Sequence, residues 1–250
     1  MKISIITVCY NSEKTIRDTI ESVLSQTYKN IEYIIVDGSS KDDTLTIINE
    51  YKDNISLIIS EPDQGIYDAM NKGVALATGD IIGILNSDDF YETQNAIEGV
   101  VEHFKANVGA EVVFGDVVFV DPNNLNKVVR YYSSKKFKAA KLRFGWMPPH
   151  PATFIMKSVY DKYGLYKLGY KISADYEMFV RLLMVAKVKF ARIDKVIVRM
   201  RSGGASTDGI KSSLTLNQEI VRACRENGIY TNLFLVLLKI PFKLIELVKR

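Results

Sequence analysis

Two adjacent carboxylates follow the apolar segment Ile81–Leu85, within the sequence Asn86-Ser87-Asp88-Asp89. Neighbouring carboxylates repel each other unless a cation or a basic group lies between them. Hard oxygen ligands of this kind select Mg²⁺ or Mn²⁺, and these ions also bind diphosphate oxygens. The pair therefore predicts a metal site for a phosphorylated ligand, whereas ordinary turn chemistry is the alternative for any single Asp or Asn.

Polar residues also follow the other apolar segments of the first half of the chain. These segments and the residues after them are 2–10 with Asn11, 31–36 with Asp37, and 55–60 with Glu61, Pro62 and Asp63. The segments alternate with helical patterns, which predicts right-handed βαβ units and an open, mostly parallel α/β sheet flanked by helices. Ligands of such sheets bind beyond the carboxyl ends of the strands. We therefore expect these polar residues and Asp88 to meet in one crevice.

The second half of the chain has a less regular pattern. Residues 112–120 and 127–132 read as a strand pair, joined around Pro122, Asn123 and Asn124. Helices are predicted over residues 175–186 and 211–226, with a flexible Gly- and Ser-rich loop at 202–206 between them.

The composition is that of an ordinary globular protein. Of its 250 residues 47% are hydrophobic and 25% are charged, which excludes a disordered, collagen-like or low-complexity chain. Two cysteines, Cys9 and Cys224, are too few for a disulfide framework and favour a reducing compartment. We see no signal peptide, and no apolar stretch approaches the roughly 20 residues of a transmembrane helix. A cytoplasmic protein is therefore expected.

The net charge of +4 hides a strong asymmetry between the two halves. Residues 1–121 carry 8 Lys/Arg against 21 Asp/Glu, a net charge of −13, whereas residues 122–250 carry 25 against 8, a net charge of +17. No acidic residue occurs between Pro122 and Tyr160. The basic half should face an anionic partner. Nucleic acid is not that partner, because the basic stretches lack a recognisable reading motif.

Four ordered segments make the sequence resemble the inverting family 2 glycosyltransferases, which have the Rossmann-like, nucleotide-binding GT-A fold. The segments are ISIITVCYNSEKTIRDTIESVLSQTY, IIVDGSSKDDT, SEPDQGIYDAMNKGVALATGD and ILNSDDF. The resemblance is dense over residues 2–90 and looser as far as Ser206. It implies a GT-A domain over 1–208, with a nucleotide-sugar half (1–121) and an acceptor half (122–208), followed by C-terminal helices over 209–250.

The resemblance places the donor site in the first half. Asp37 matches the aspartate that binds the nucleotide base, and the segment ending at Asn11 lines the base and ribose through its backbone. Asp63 and Asp68 fall in the second motif, around the donor sugar. The implied nucleotide and donor residues are Thr7, Val8, Cys9, Tyr10, Asn11, Asp37, Ser39, Asp63, Asp68, Asn71, Lys72, Asn86, Ser87, Asp88, Arg199 and Arg201.

The metal motif departs from the family pattern. That pattern is Asp-any-Asp, and the chain has Asn86-Ser87-Asp88. Asp88 matches the carboxylate that binds the metal, while Asn86 offers a neutral oxygen in place of the first carboxylate. The resemblance therefore implies Mn²⁺ or Mg²⁺ at Asp88, with His150 as a weaker metal contact. A purely structural His150 is the alternative.

The catalytic base implied by the resemblance is Asp175, within Ser173-Ala174-Asp175-Tyr176-Glu177. An inverting transfer needs one carboxylate that deprotonates the acceptor hydroxyl, while the metal neutralises the departing diphosphate. The family has Glu-Asp here, so Ala174 is a departure, and a carboxylate that only satisfies the helix dipole is the alternative. The residues expected on the acceptor side are Trp146, His150, Tyr176 and Glu177.

Two further segments carry basic residues that are suited to binding anionic ligands. Arg199, Arg201 and the Gly203-Gly204 loop resemble a mobile lid that clamps the diphosphate, with solvated arginines as the alternative. The segment 233–250, LFLVLLKIPFKLIELVKR, is basic and amphipathic, which suits the interface of an anionic membrane. A helix packed on the body, or the interface of a homo-oligomer, is the alternative for this segment.

The function that these expectations favour is transfer of a hexose or N-acetylhexosamine from a UDP-sugar. The acceptor would be a polyprenyl-diphosphate-linked glycan or a polysaccharide, in assembly of O-antigen, capsule or another surface glycan at the inner membrane face. The alternative is an inactive nucleotide-binding scaffold, which Asn86 and Ala174 motivate. A sugar nucleotidyltransferase is disfavoured, because Asn11-Ser12-Glu13 is not the glycine-rich, basic loop expected after its first strand.

Overall fold

The structure is a computed structural model that describes residues 1–203 and 209–239, with side chains described from residue 212 in the second range. Its strands are β1 (Ile3–Cys9), β2 (Ile31–Asp37), β3 (Leu57–Ser60), β4 (Ile81–Ile84), β5 (Phe90–Tyr91), β6 (Val112–Asp121), β7 (Asn124–Tyr132), β8 (Thr153–Met156) and β9 (Phe190–Arg201). Its helices are α1 (Ile16–Leu24), α2 (Thr44–Glu50), α3 (Ile66–Leu76), α4 (Ala96–Ala106), α5 (Lys157–Tyr163), α6 (Ala174–Phe179), α7 (Gly209–Glu226) and α8 (Leu233–Leu237).

All nine strands of the described residues join one sheet, in the order β3-β2-β1-β4-β8-β6-β9-β5, with β7 added to β6. The first-half strands β3, β2, β1 and β4 pair in parallel, as the alternating pattern predicts. The strand β8 then runs antiparallel to both β4 and β6, so the second half of the sheet is mixed. This short strand is what joins the two halves into a single sheet.

The core lies on both faces of the sheet. Every residue of β1 is buried, because helices cover the sheet on both sides, and this explains its mainly apolar sequence, ISIITVC. Ile6 and Val8 face α3 and the C-terminal helices, whereas Ile3 and Ile5 face α1 and α4. Alternate residues of a strand point to opposite faces, so β1 contributes to both layers.

A glycine brings α3 close to the sheet. A Cβ atom at Gly73 would lie 2.4 Å from Ile6 Cγ2, so the helix reaches this position over β1 only without a side chain there. The first turn of the same helix contains Tyr67, which lies beside the carboxyl ends of the strands. The close packing of α3 therefore fixes where its first turn stands.

The structure extends and refines the elements expected in the second half. The strand pair is confirmed as β6 and β7, whereas the helix expected over 175–186 begins as α6 and continues as a π-helix, Val180–Val185. The sequence patterns did not predict the strands β5, β8 and β9 or the helix α5. Residues 204–208 and 240–250, which include parts of the expected lid and membrane segment, lie outside the described residues.

No helix within residues 1–203 and 209–239 is both long enough and apolar enough to cross a bilayer. The domain boundaries expected at 121 and 208 stay predictions.

Candidate active site

An open crevice of about 1130 Å³ lies at the carboxyl ends of β1 and β4. Its walls include Asn11, Asp63 and Asp88 from the first half of the chain, and His150 and Asp175 from the second. The two halves of the sheet therefore bring together the candidate metal ligand and the candidate base. The other expected donor residues that line it are Val8, Cys9, Tyr10, Asn86, Ser87 and Arg201.

Asp37 lies behind the crevice wall rather than on its surface. Its side chain is fully buried at the end of β2, opposite Cys9 in the parallel register. The carboxylate accepts hydrogen bonds from Ser60 Oγ at 2.7 Å and from the backbone N–H of Ser40 at 3.1 Å. A Cβ at Gly38 would come within 2.5 Å of Asp63 Oδ2. The hydrogen bonds of Asp37 thus stabilise the loop that the Asp63 side chain packs against.

The loops that follow β1, β2 and β4 are tied to one another. Asn11 and Ser39 both have positive φ angles, 49° and 62°, which are uncommon for residues other than glycine. Asn11 Oδ1 accepts the Lys41 N–H at 2.8 Å, and the Ser12 and Ser87 hydroxyls lie 2.8 Å apart. The expected residue Thr7 lies beneath these loops, fully buried, with its hydroxyl 3.1 Å from that of Tyr33. These bonds make the donor side of the crevice a connected set of loops.

The acidic motif after β4 offers oxygen atoms for a cation. Burial raises the pKa of Asp88, and burial together with the charge of Asp88 raises the pKa of Asp89 well above its usual value. Asn86 Oδ1 is buried and accepts no hydrogen bond from any residue that the structure describes. A carboxylate beside an unsatisfied amide oxygen fits a hard divalent cation.

The chain itself supplies only part of such a site. Within residues 1–203 and 209–239, no three His, Cys, Asp or Glu side chains converge on one point that could hold a metal. Asp88 and Asn86 would therefore share the ion with oxygens of a bound diphosphate and with water.

The two arginines expected in a lid belong to strand β9. Arg201 lines the crevice, where it donates to the Asp88 carbonyl oxygen at 2.6 Å, forms an ion pair with Asp18, and lies over the Phe90 ring. Arg199 forms a two-pronged contact with Glu92 and does not line the crevice. Both guanidinium groups are paired with acidic partners, and the expected arginine clamp stays a prediction.

Asp175 stands in the first turn of α6 and lines the crevice. Its Oδ1 accepts the Tyr176 N–H at 2.8 Å and lies 3.2 Å from the Tyr67 hydroxyl, which also lies 2.5 Å from the Ile172 carbonyl oxygen. Burial raises the pKa of Asp175, while His150 and these two donors oppose that rise. A carboxylate with a raised pKa in a polar crevice is suited to accept a proton.

His150 lies with the base and not with the metal motif. Its Nε2 is 2.8 Å from the Tyr166 hydroxyl, and the ring packs edge-on against Phe179. Burial lowers the pKa of His150, and the charge of Asp175 opposes this effect. The Nε2 atom is thus engaged by a tyrosine, and the weaker metal contact expected at His150 stays a prediction.

Tyr67 and Tyr166 are site residues that the sequence analysis missed. The Tyr67 hydroxyl lies 3.2 Å from Asp175 Oδ1, and its ring stacks on that of Tyr166 with centroids 5.9 Å apart. Gly65, with a φ of 108°, immediately precedes the helix, and Tyr67 is the second residue of its first turn. The sequence EPDQGIY therefore places a tyrosine at the mouth of the crevice. That position within the second motif was the available signal for Tyr67, and no comparable signal marks Tyr166.

Three expected donor residues instead hold α3 in place. Lys72 forms an ion pair with Glu61 at 2.8 Å, and Asp68 accepts the Gln64 N–H at 3.0 Å. Asn71 exchanges two hydrogen bonds of 2.9 Å with the backbone of Tyr166. None of Asp68, Asn71 and Lys72 lines the crevice.

Three residues expected on the acceptor side also point elsewhere. Tyr176 is buried and donates to the Leu142 carbonyl oxygen. Glu177 is fully buried and pairs with Arg181. Trp146 is half-buried, with the Lys141 ammonium 5.9 Å from its ring. None of the three lines the crevice.

Known proteins resemble the chain in both sequence and fold. The family model described as "Glycosyl transferase family 2" matches residues 4–164. An uncharacterized glycosyltransferase of Mycobacterium tuberculosis is 33% identical over 188 residues, which are 74% of this chain and 70% of that protein. A PGL/p-HBAD biosynthesis glycosyltransferase of Mycobacterium bovis is 30% identical over 181 residues, which are 71% of this chain and 68% of that protein.

Solved structures share the fold at low sequence identity. S. aureus TarS 1–349 in complex with UDP-GlcNAc has a TM-score of 0.68 and 18% identity, covering 89% of this chain and 66% of its own. The mannosyltransferase PcManGT from Pyrobaculum calidifontis, in complex with GDP-Man and Mn²⁺, has a TM-score of 0.63 and 15% identity, covering 90% and 63%. The chain thus spans slightly less than two thirds of each structure, and the shared architecture is the GT-A fold. The family match, the relatives and the fold agree, and the chain belongs to glycosyl transferase family 2.

Proposed function

We propose that the chain transfers a sugar from a UDP-sugar to a hydroxyl of a lipid-linked glycan, with inversion at the anomeric carbon. The observation that carries this proposal is that Asp88 and Asp175 line one crevice. A nucleotide diphosphate held at Asp88 would present its sugar toward the acceptor half, where Asp175 stands.

The donor proposal draws on the loops after β1, β2 and β4. Asp63, Tyr10 and Asn11 line the crevice beside the buried Asp37, and together they form a pocket rim with several hydrogen-bonding groups. TarS, a neighbour in fold, has been solved with UDP-GlcNAc, which supports a uridine nucleotide. An N-acetylhexosamine or a hexose is therefore the sugar that we propose.

Asp88 and Asn86 would hold the divalent cation, Mn²⁺ or Mg²⁺. When bound, this ion supplies positive charge that stabilises the departing diphosphate. PcManGT, a neighbour in fold, has been solved with GDP-Man and Mn²⁺, which supports a divalent cation beside the nucleotide donor. Arg201 keeps the Asp88 loop in place through the Asp88 carbonyl oxygen, 2.6 Å away.

Asp175 is proposed as the general base. It would accept the proton of the acceptor hydroxyl while that oxygen attacks the anomeric carbon from the face opposite the diphosphate. The Tyr176 N–H donates to Asp175 Oδ1, and the Tyr67 hydroxyl, which bridges the Ile172 carbonyl oxygen and the same Oδ1, would help to orient the carboxylate. The second carboxylate oxygen is left to face the acceptor.

We further propose that the protein works at the inner face of a membrane. The helix α8 exposes Phe234, Leu233 and Leu237, and the adjoining acid-free stretch 122–160 carries lysines and arginines. Apolar side chains beside basic ones suit an anionic lipid surface. The relative named for PGL/p-HBAD biosynthesis supports a biosynthetic role.

Release of UDP tests this function. The purified protein would be incubated with UDP-GlcNAc, UDP-glucose or UDP-galactose, Mn²⁺ and a synthetic prenyl-diphosphate-linked sugar. We expect acceptor-dependent UDP release that Asp175→Asn abolishes, with a product of inverted anomeric configuration by NMR. Equal acceptor-dependent release by wild type and Asp175→Asn would contradict the role of Asp175 as the base. No acceptor-dependent release by the wild type would contradict the transferase proposal and favour an inactive scaffold that binds nucleotide.

A further inference from the structure

The wall of the crevice built by the second half of the sheet differs in character from the acidic donor side. It consists of Phe119 on β6, Val129 and Arg130 on β7, and Met200 on β9. Phe119 pairs with Arg130 on one side and with Met200 on the other, so these three side chains form one row across the sheet. The wall is therefore apolar with a single cation in it.

Arg130 differs from the other arginines around it. Its guanidinium lies 5.0 Å from the centroid of the Phe119 ring and 5.7 Å from that of Tyr132. Arg192, Arg199 and Arg201 each form an ion pair with a carboxylate. Arg130 has no carboxylate or hydrogen-bond partner for its guanidinium among residues 1–203 and 212–239. A half-buried arginine between two rings is fixed in position, while its charge stays available.

The chemistry of this wall selects a ligand with two parts. A guanidinium binds phosphoryl oxygens through paired hydrogen bonds, and the adjoining Phe119, Val129 and Met200 favour a hydrocarbon portion. Apart from Arg130 and Arg201, the cationic side chains on the crevice wall are those of Lys14 and Lys171. Both are exposed, and neither is held by aromatic rings. Arg130 is therefore the preorganised anion contact of the second half.

We propose that Arg130 binds the phosphoryl group of an amphiphilic acceptor, whose hydrocarbon portion lies against Phe119, Val129 and Met200. This inference rests on the proposed function, since it assigns the Asp63 and Asp88 side of the crevice to the donor. It extends that function because it assigns binding of the acceptor's phosphoryl group to one residue, Arg130.

Calorimetric titration with farnesyl diphosphate tests the proposal, with the protein saturated by UDP and Mn²⁺ so that the donor side is filled. We expect Arg130→Gln to weaken farnesyl diphosphate binding about ten-fold or more, the effect of losing one charge-assisted contact, while UDP binding changes less than about two-fold. Lys127→Gln is the matched control, because Lys127 lies on the same strand but pairs with Asp121 outside the crevice. Val129→Asn should weaken farnesyl diphosphate binding but leave inorganic pyrophosphate binding unchanged.

Three outcomes would overturn the proposal. Wild type that binds UDP but not farnesyl diphosphate, or equal farnesyl diphosphate binding by wild type and Arg130→Gln, would show that Arg130 does not read an acceptor phosphate. A loss of UDP binding in Arg130→Gln would make it a donor residue instead. Wild type that binds no UDP would instead count against the proposed function, and the farnesyl diphosphate titration without UDP would then decide the role of Arg130. Unchanged circular dichroism and melting temperature would confirm that Arg130→Gln folds.

Discussion

The Tyr67 hydroxyl lies 3.2 Å from Asp175 Oδ1, although the two residues are separated by 108 positions in sequence. Tyr67 belongs to the first turn of α3 and Asp175 to the first turn of α6. Their contact joins the first half of the chain to the second at the point where the proposed chemistry would occur. The orientation of the proposed base would therefore depend on a residue of the first half.

Removing this contact should shift the pH dependence of transfer. Burial raises the pKa of Asp175, and the Tyr67 hydrogen bond is one of the interactions that oppose the rise. The base acts as a carboxylate, so kcat/KM should increase as the pH rises through that pKa. In Tyr67→Phe the carboxylate loses a donor, and the acidic limb of the profile should move to higher pH.

Tyr160→Phe is the control for this prediction. Tyr160 is also buried, and its hydroxyl lies 3.3 Å from that of Tyr166 rather than beside Asp175. The acidic limb of the Tyr160→Phe pH profile should coincide with that of the wild-type protein. A Tyr67→Phe profile that keeps the wild-type limb and only lowers kcat uniformly would contradict a positioning role for Tyr67.

Substitution of the proposed base should separate binding from transfer. Asp175→Asn keeps the size of the side chain but cannot accept the proton, so kcat should fall by about 10²–10⁴. Nucleotide binding should persist, because Asp175 lies on the acceptor side of the crevice. Asp161→Asn, at an exposed carboxylate paired with Lys157, should leave kcat unchanged. Parallel losses of UDP affinity and kcat in Asp175→Asn would argue that the residue is structural.

A methyl group at Gly38 should disturb the donor side. A Cβ there would come within 2.5 Å of Asp63 Oδ2, which is closer than non-bonded atoms approach. The Asp63 side chain would have to move, and we expect UDP affinity to fall about ten-fold, the equivalent of about 1.4 kcal/mol. Gly99→Ala is the matched control, because no atom lies within 4 Å of a Cβ at that position. Unchanged UDP affinity in Gly38→Ala would remove Asp63 from the donor site.

Glu32 should stabilise the end of the sheet opposite the crevice. Burial alone would raise its pKa, but hydrogen bonds from Lys2, Ser4 and Thr78 outweigh that effect and lower the pKa to about 2. Because the folded-state pKa is lowered, the stabilisation is complete above the ordinary value of 4.5 and is lost as the pH falls through about 2. Glu32→Gln should therefore cost about 1–3 kcal/mol of unfolding free energy at pH 7.

Urea denaturation at several pH values would measure this effect. The difference between wild type and Glu32→Gln should shrink steadily as the pH falls from 4.5 toward 2. Glu50→Gln is the control, because its pair with Arg17 is solvent-exposed and should contribute little. A difference that stays constant with pH would mean that the charge of Glu32 does not stabilise the fold.

Local patterns were sufficient to predict the donor half of the fold. The parallel strands are mainly apolar runs followed by polar residues, and those ends place Asn11, Asp63 and Asp88 at one edge. The acceptor half could not be predicted in the same way. The strand β8 has four residues, and β9 interleaves charged and apolar residues with register shifts against β6, so neither has a clear period of two.

Roles that depend on side-chain contacts were harder still to predict. Sequence spacing cannot show that Arg199 meets Glu92, or that Glu177 is buried against Arg181, because each partner's position depends on the packing of distant elements. The proposed roles of Tyr67 and Arg130 could not be predicted from the sequence for the same reason. Their functional positions follow from α3 resting on β1 and from β7 pairing with β6.

The central claim is that the crevice binds a nucleotide-sugar donor through Asp88 and a divalent cation. Isothermal titration with UDP and with GDP, each with and without Mn²⁺, tests it on wild type, Asp88→Ala and Asp175→Asn. We expect Mn²⁺-dependent UDP binding that Asp88→Ala loses and Asp175→Asn keeps. Absence of binding of either nucleotide to the wild-type protein, with Mn²⁺ present, would contradict it.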